Sequence, residues 1–157
     1  MKKVLILSLV LSAIVNCSRA QTQNAVTWTY SVEQTSNTEA NLVFQSNIDE
    51  GWHIYSQFTP DGGPLPTVFT ITENGCFTVD GKVSEPAAHK EFDKTFGVDV
   101  LTLEGKPTFV QKIKLKEGDC IIKGRVDGQV CKEVCIMFGA DFIFNIGKSK
   151  DEGIIKN

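Results

Sequence analysis

Two cysteines separated by three residues, in Val130-Cys131-Lys132-Glu133-Val134-Cys135-Ile136, have the type and spacing best suited to chemistry. A close pair of thiols outside the cytoplasm locks a small loop, binds a soft metal ion, or exchanges electrons with other thiols. Magnitudes separate these readings in part. A cross-link stabilises mainly by restricting the unfolded chain, and the effect grows with the loop it closes. Bridging Cys131 to Cys135 is worth about 2 kcal/mol on that scale, whereas bridging Cys76 to Cys120 is worth about 4 kcal/mol. The close pair is the poorer staple and the better candidate for chemistry. Lys132 and Glu133 act on a neighbouring thiolate in opposite senses, so spacing alone does not rank the two sulfurs as nucleophiles.

The setting of these thiols follows from the N-terminus. Residues Met1 to Ala20 read as a secretory leader: Lys2 and Lys3 supply the positive start and Val4 to Val15 the apolar core. Ser18 and Ala20 place small residues just before Gln21. The apolar run, about 12 residues, falls short of the roughly 20 needed to span a membrane. Lipid attachment at Cys17 is the less favoured alternative, because Asn16 is larger than the small residue expected there. The mature protein is therefore expected in a bacterial periplasm, without membrane insertion. The chain carries 16 Lys+Arg against 19 Asp+Glu, a net charge of −3, and three positive charges leave with the leader. So acidic a protein lacks the basic patch that nucleic acid demands. Four cysteines remain after processing, in a chain long enough to build one core without them.

Period-two alternation must supply the elements that hold the pair. Val26, Trp28, Tyr30 and Val32 share one face of a strand, with Thr27, Thr29 and Ser31 opposite. Further strands read at Asn41–Ile48, Trp52–Tyr55, Thr67–Thr72, Phe77–Val83, Val98–Leu103, Thr108–Leu115, Ile121–Cys131 and Ala140–Ile146. Pro60-Asp61-Gly62-Gly63-Pro64 breaks the chain between two of them. Apolar residues nowhere keep a 3.6-residue period over three turns. Short strands at regular spacing without helices predict an all-β, immunoglobulin-like antiparallel β-sandwich over 21–147, followed by a polar tail over 148–157. Residues i and i+4 of a straight strand lie about 13 Å apart, beyond the reach of a disulfide. If Cys131 and Cys135 bond, the strand must end near Cys131 and turn through Lys132-Glu133-Val134. A disulfide across so tight a turn is expected to be strained and readily reduced.

Several separated segments then resemble a known family in order: Gly51-Trp52-His53-Ile54-Tyr55-Ser56-Gln57, Asp61-Gly62-Gly63-Pro64-Leu65-Pro66-Thr67, Gly81-Lys82-Val83-Ser84-Glu85, Phe92-Asp93-Lys94-Thr95-Phe96-Gly97, and the cysteine pair with Asp141-Phe142-Ile143-Phe144. From about Val26 to Ile146 the chain resembles the N-terminal periplasmic domain of the DsbD thiol–disulfide interchange protein, in its Bacteroidetes-type form. The resemblance implies an immunoglobulin-like sandwich with Cys131 and Cys135 as a redox pair near one edge. It implies a redox carrier of the protein-disulfide reductase type that needs no cofactor. Electrons would arrive from a thioredoxin-like protein or domain and pass to periplasmic oxidoreductases. Cys135 would bond to partners and Cys131 would resolve. The family's cap loop matches Asp93 to Gly97, with Phe96 as the shield. The full transporter's transmembrane and thioredoxin-like domains are not in this sequence, so a separate protein is expected to reduce the pair.

Other readings stay open at this level. The less favoured alternative is that the close pair is a hairpin clip in a non-enzymatic interaction module, a role to which so weak a staple is poorly suited. As soft thiolates near Met137 it would also suit a Cu(I) carrier. Cys76 and Cys120 either form a structural disulfide or remain as inert buried thiols. His53 is expected on the surface of its strand, and His89 in a polar loop. Trp28 and Trp52 are expected to pack in the core or at an edge.

Overall fold

The computed structural model describes residues 24–116 and 118–147. The leader with Cys17, and the tail beyond Gly147, lie outside the described residues. Among the described residues, ten strands form two antiparallel sheets: β1 (Val26–Gln34), β2 (Glu39–Ile48), β3 (His53–Tyr55), β4 (Val68–Thr72), β5 (Phe77–Ser84), β6 (His89–Asp93), β7 (Val98–Leu103), β8 (Thr108–Leu115), β9 (Cys120–Cys131) and β10 (Cys135–Ile146). One sheet runs β1-β2-β8-β5 and the other β10-β9-β3-β7-β6, with β4 also paired to β9. This is an immunoglobulin-like β-sandwich.

Alternation drives the packing. In β2, Ala40, Leu42, Phe44, Ser46 and Ile48 are buried, while the residues between them are not. Trp28, Phe44, Phe109, Phe142 and Phe144 meet between the sheets, with Phe44 4.9 Å from both Phe69 and Phe142. Cys76, beside the first strand residue Phe77 of one sheet, is bonded to Cys120, which opens β9 in the other. Their α-carbons are 5.6 Å apart, and the bond ties the two sheets together at one end of the sandwich.

Two elements differ from expectation. β10 begins at Cys135 rather than Ala140, because Cys135–Gly139 pairs with Asp127–Cys131 at the sheet edge. Half of its side chains face solvent there, which dilutes the apolar signal. His89 is not in a loop either. It opens β6, an edge strand paired with β7 and exposed along most of its length, so no apolar alternation marks it.

β9 is twelve residues long and organises the site. Its C-terminal end pairs with β3 through His53↔Cys131 and Ile54↔Val130, and its middle pairs with β4 from Val68↔Asp127 to Thr72↔Lys123. The chain thus leaves the sheet after Tyr55 and rejoins it at Val68, where the Thr67 N–H donates to the Tyr55 carbonyl at 3.0 Å. The excursion packs over the outer face of the sheet. A Cβ on Gly63 would lie 3.2 Å from Val98 and 3.6 Å from Val100, and the Leu65 N–H donates to the Gln129 side chain at 2.8 Å.

Candidate redox site

Cys131 closes β9, Cys135 opens β10, and the two are direct cross-strand partners joined by a disulfide, with α-carbons 4.1 Å apart. Antiparallel partners in a narrow pair approach to about 4.5 Å, so the hairpin itself presents the two sulfurs to each other. The Lys132 N–H donates to the Val134 carbonyl at 3.2 Å and closes the turn. Lys132 folds back so that Nζ reaches the Glu50 carbonyl at 3.5 Å, lying over Gly51. Gly51 has φ +75°, and a Cβ there would sit 3.0 Å from that nitrogen, so glycine serves both the turn and the contact.

The two sulfurs have unequal surroundings. Cys131 is 2% exposed, packed with Tyr55 and Val100 in a small apolar cluster flanked by Val98, on the face turned away from the main core. Cys135 is exposed, beside exposed Val134 and Met137. A thiolate arriving from solvent finds Cys135 open and Cys131 covered.

His53 and Tyr55 share the outer face of β3 with Cys131, since His53 is its register partner and side chains two apart point the same way. His53 Nε2 and the Tyr55 hydroxyl are 3.1 Å apart, with the rings edge-on at 5.2 Å. Burial lowers the His53 pKa from its ordinary value, against the opposing pull of Glu91, Glu104 and Asp93. Burial raises the Tyr55 pKa, and Asp93 and Glu91 add to it. His53 is thus half-buried beside the disulfide rather than a plain surface histidine. Sequence reasoning missed this pair; its signal was the i, i+2 placement of two ring side chains in a three-residue strand. The C-terminal end of β3 is fixed by Glu85, whose carboxylate accepts from the Ser56 hydroxyl, from the Gln57 N–H at 3.1 Å and from the Gln57 side chain at 3.1 Å.

The stretch Asp93–Gly97 forms the tip of the β6–β7 hairpin. The Asp93 carboxylate accepts from the Thr95 N–H at 2.7 Å and the Phe96 N–H at 3.2 Å, and its carbonyl accepts from the Gly97 N–H at 2.7 Å. Gly97 supplies the left-handed residue, at φ 72°, that lets the chain re-enter β7. Phe96 is 45% exposed at this tip, and what encloses Cys131 is Tyr55 with Val100. Among the described residues no group of three or more His, Cys, Asp or Glu is arranged to hold a metal ion.

The sequence matches the family described as "Thiol:disulfide interchange protein DsbD, N-terminal" over residues 20–145. The chain belongs to this family.

Among solved structures, this DsbD-type N-terminal domain is similar to the N-terminal periplasmic domain of ScsB from Proteus mirabilis, with TM-score 0.56 and 15% identity. That match covers 78% of this chain and 46% of the other, so the domain spans about half of that ScsB chain. The Neisseria meningitidis DsbD N-terminal domain in its reduced form aligns with TM-score 0.48, 16% identity, and 80% and 89% of the two chains. The Neisseria meningitidis complex between DsbD and PilB N-terminal domains gives TM-score 0.49 and 16% identity, covering 81% and 86%. No curated protein matches the sequence. The likeness to ScsB at this identity shows the fold; the family match is what ties the DsbD-type domain to thiol–disulfide interchange. Among the described residues, no helix is long and apolar enough to cross a membrane.

Proposed function

We propose that the mature domain, 21–147, is exported by the leader at 1–20 and carries reducing equivalents in the periplasm through Cys131 and Cys135. A thioredoxin-like protein or domain reduces the pair, and periplasmic oxidoreductases accept its electrons. The observation that carries this reading is the asymmetry of the hairpin disulfide, with Cys135 open and Cys131 covered at 2% exposure. Exchange proceeds by thiolate attack through a mixed disulfide. An exposed sulfur takes the incoming thiolate, and a buried neighbour is held in place to resolve the intermediate. The reduction potential of the close pair, measured in a Cys76→Ser/Cys120→Ser background, tests the reading. A carrier is expected to lie well above about −300 mV, whereas a value below that belongs to inert secreted disulfides and sinks it.

In this reading Asp93, Phe96 and Gly97 form a cap, with Phe96 as its shield. The Asp93 carboxylate pins the tip and Gly97 gives it a hinge. Phe96→Ala should speed alkylation of the reduced pair several-fold. Stability should change by no more than about 0.5 kcal/mol, because the ring is an exposed surface group. Equal alkylation rates in the two proteins would remove Phe96 from the site.

A further inference from the structure

A buried resolving thiol raises a question of proton traffic. Cys131 must lose its proton before it attacks, yet its apolar surroundings disfavour the thiolate. Cys131 sits at 2% exposure under Tyr55 and Val100. An ionisable group is needed within reach, and the outer face supplies one.

We propose that His53 is the proton acceptor for the Cys131 sulfur, held in place for that task by the Tyr55 hydroxyl. His53 lies directly across from Cys131 on the same face, and cross-strand partners bring their β-carbons to about 4.5–5.5 Å. Tyr55 packs on Cys131 and its hydroxyl lies 3.1 Å from His53 Nε2, which fixes the ring; in the tautomer whose Nε2–H donates to the Tyr55 oxygen, Nδ1 keeps the lone pair that accepts a proton. Burial lowers the His53 pKa, so the ring is neutral and basic at pH 7. The inference rests on the carrier reading.

The Cys135 thiolate attacks a partner disulfide, forms a mixed disulfide and expels one partner thiolate. The Cys131 thiol gives its proton to His53, and the resulting thiolate attacks Cys135 Sγ. The Cys131–Cys135 bond forms and the second partner thiolate leaves. Two electrons pass from the domain to the partner, and the imidazolium returns its proton to the departing thiolate or to water.

Other charged groups around the ring set its midpoint without replacing it. Glu91 and Asp93 face it from β6, Glu104 follows β7, and all three pull its pKa back up. His89, also on β6, pairs with Thr102, the β7 residue that pairs in turn with Tyr55. Lys132 and Glu133 lie in the hairpin turn beyond Cys131, with Lys132 drawn to the Glu50 carbonyl. Among the described residues, Cys135 is the only other thiol at the site once the hairpin bond is reduced.

Ellman's disulfide is a suitable probe, since a dithiol releases one thionitrobenzoate when Cys135 attacks and a second when Cys131 resolves. The protein is reduced mildly, so that Cys76–Cys120 stays closed, and both releases are followed across pH. In the wild type the second rate should rise with pH through a midpoint below about 6.5, the ordinary histidine value. His53→Gln should lose that inflection and slow the second release at least about tenfold at pH 7, leaving the first release intact. Tyr55→Phe should keep the packing on Cys131 and shift the midpoint. The titration of the His53 ring in the wild-type reduced domain, followed by NMR, should share the kinetic midpoint, and this readout needs no variant to fold. A His53→Gln profile that keeps the inflection, or a ring midpoint well away from the kinetic one, overturns the proposal alone. A wild type that gives no second release overturns the carrier reading and this inference with it.

Discussion

Cys131→Ser should turn the domain from a carrier into a trap. With Cys135 exposed, its thiolate still attacks an oxidised partner and forms a mixed disulfide. With no thiol at position 131, nothing inside the domain expels the partner, and the adduct persists until an external thiol arrives. Incubation with glutathione disulfide should then yield close to one adduct per molecule, mapped to Cys135. Cys135→Ser should behave differently. Its remaining thiol is 2% exposed and lies against Tyr55 and Val100, so both access and ionisation are hindered. Mass spectrometry should show adduct formation at least about tenfold slower on Cys135→Ser than on Cys131→Ser. Equal rates on the two variants would mean that burial does not order the sulfurs, and the division into attacking and resolving cysteines would fall.

How much of this was legible in the sequence depends on the range of each interaction. Strand alternation is local, so Val26-Trp28 in β1 and Leu42-Phe44 in β2 announce their buried faces without knowledge of the partner strand. The cysteine pair is local as well, since a single turn joins Cys131 to Cys135. His53 is different. Its pattern says only that it shares a face with Tyr55, and that face reads as solvent. The face is half-covered because β3 pairs with the distant end of β9 and because the excursion from Ser56 to Thr67 lies against Val98 and Val100. Neither fact is local. β6 failed for the opposite reason: an edge strand exposed on both faces carries no apolar period to read. The cap loop lies between these cases. A loop aromatic beside glycine is visible in Phe96-Gly97, but the two N–H groups held by the Asp93 carboxylate emerge only with the folded turn.

Stepwise reduction should open the two disulfides in a fixed order. The hairpin bond presents exposed Cys135 to a reductant, whereas Cys120 is 1% exposed and Cys76 is half-buried between the sheets. Alkylation and peptide mapping at low reductant should place label on Cys131 and Cys135 alone, with the β-sheet circular dichroism unchanged. The fold tolerates this because the hairpin bond closes a separation of only 4 residues, worth about 2 kcal/mol. The Cys76–Cys120 bond spans 44 residues and joins the sheets, worth about 4 kcal/mol. Against a domain stability of about 5–15 kcal/mol, losing the second bond is the graver injury. Urea unfolding should therefore show a markedly lower midpoint for Cys76→Ser/Cys120→Ser than for Cys131→Ser/Cys135→Ser. Both functions of the cysteines are then separable in one protein: one pair holds the sandwich closed, and the other is free to cycle without unfolding it. If Cys131 and Cys135 take label only as the sheet signal collapses, the hairpin bond is a structural clip and the carrier assignment fails with it.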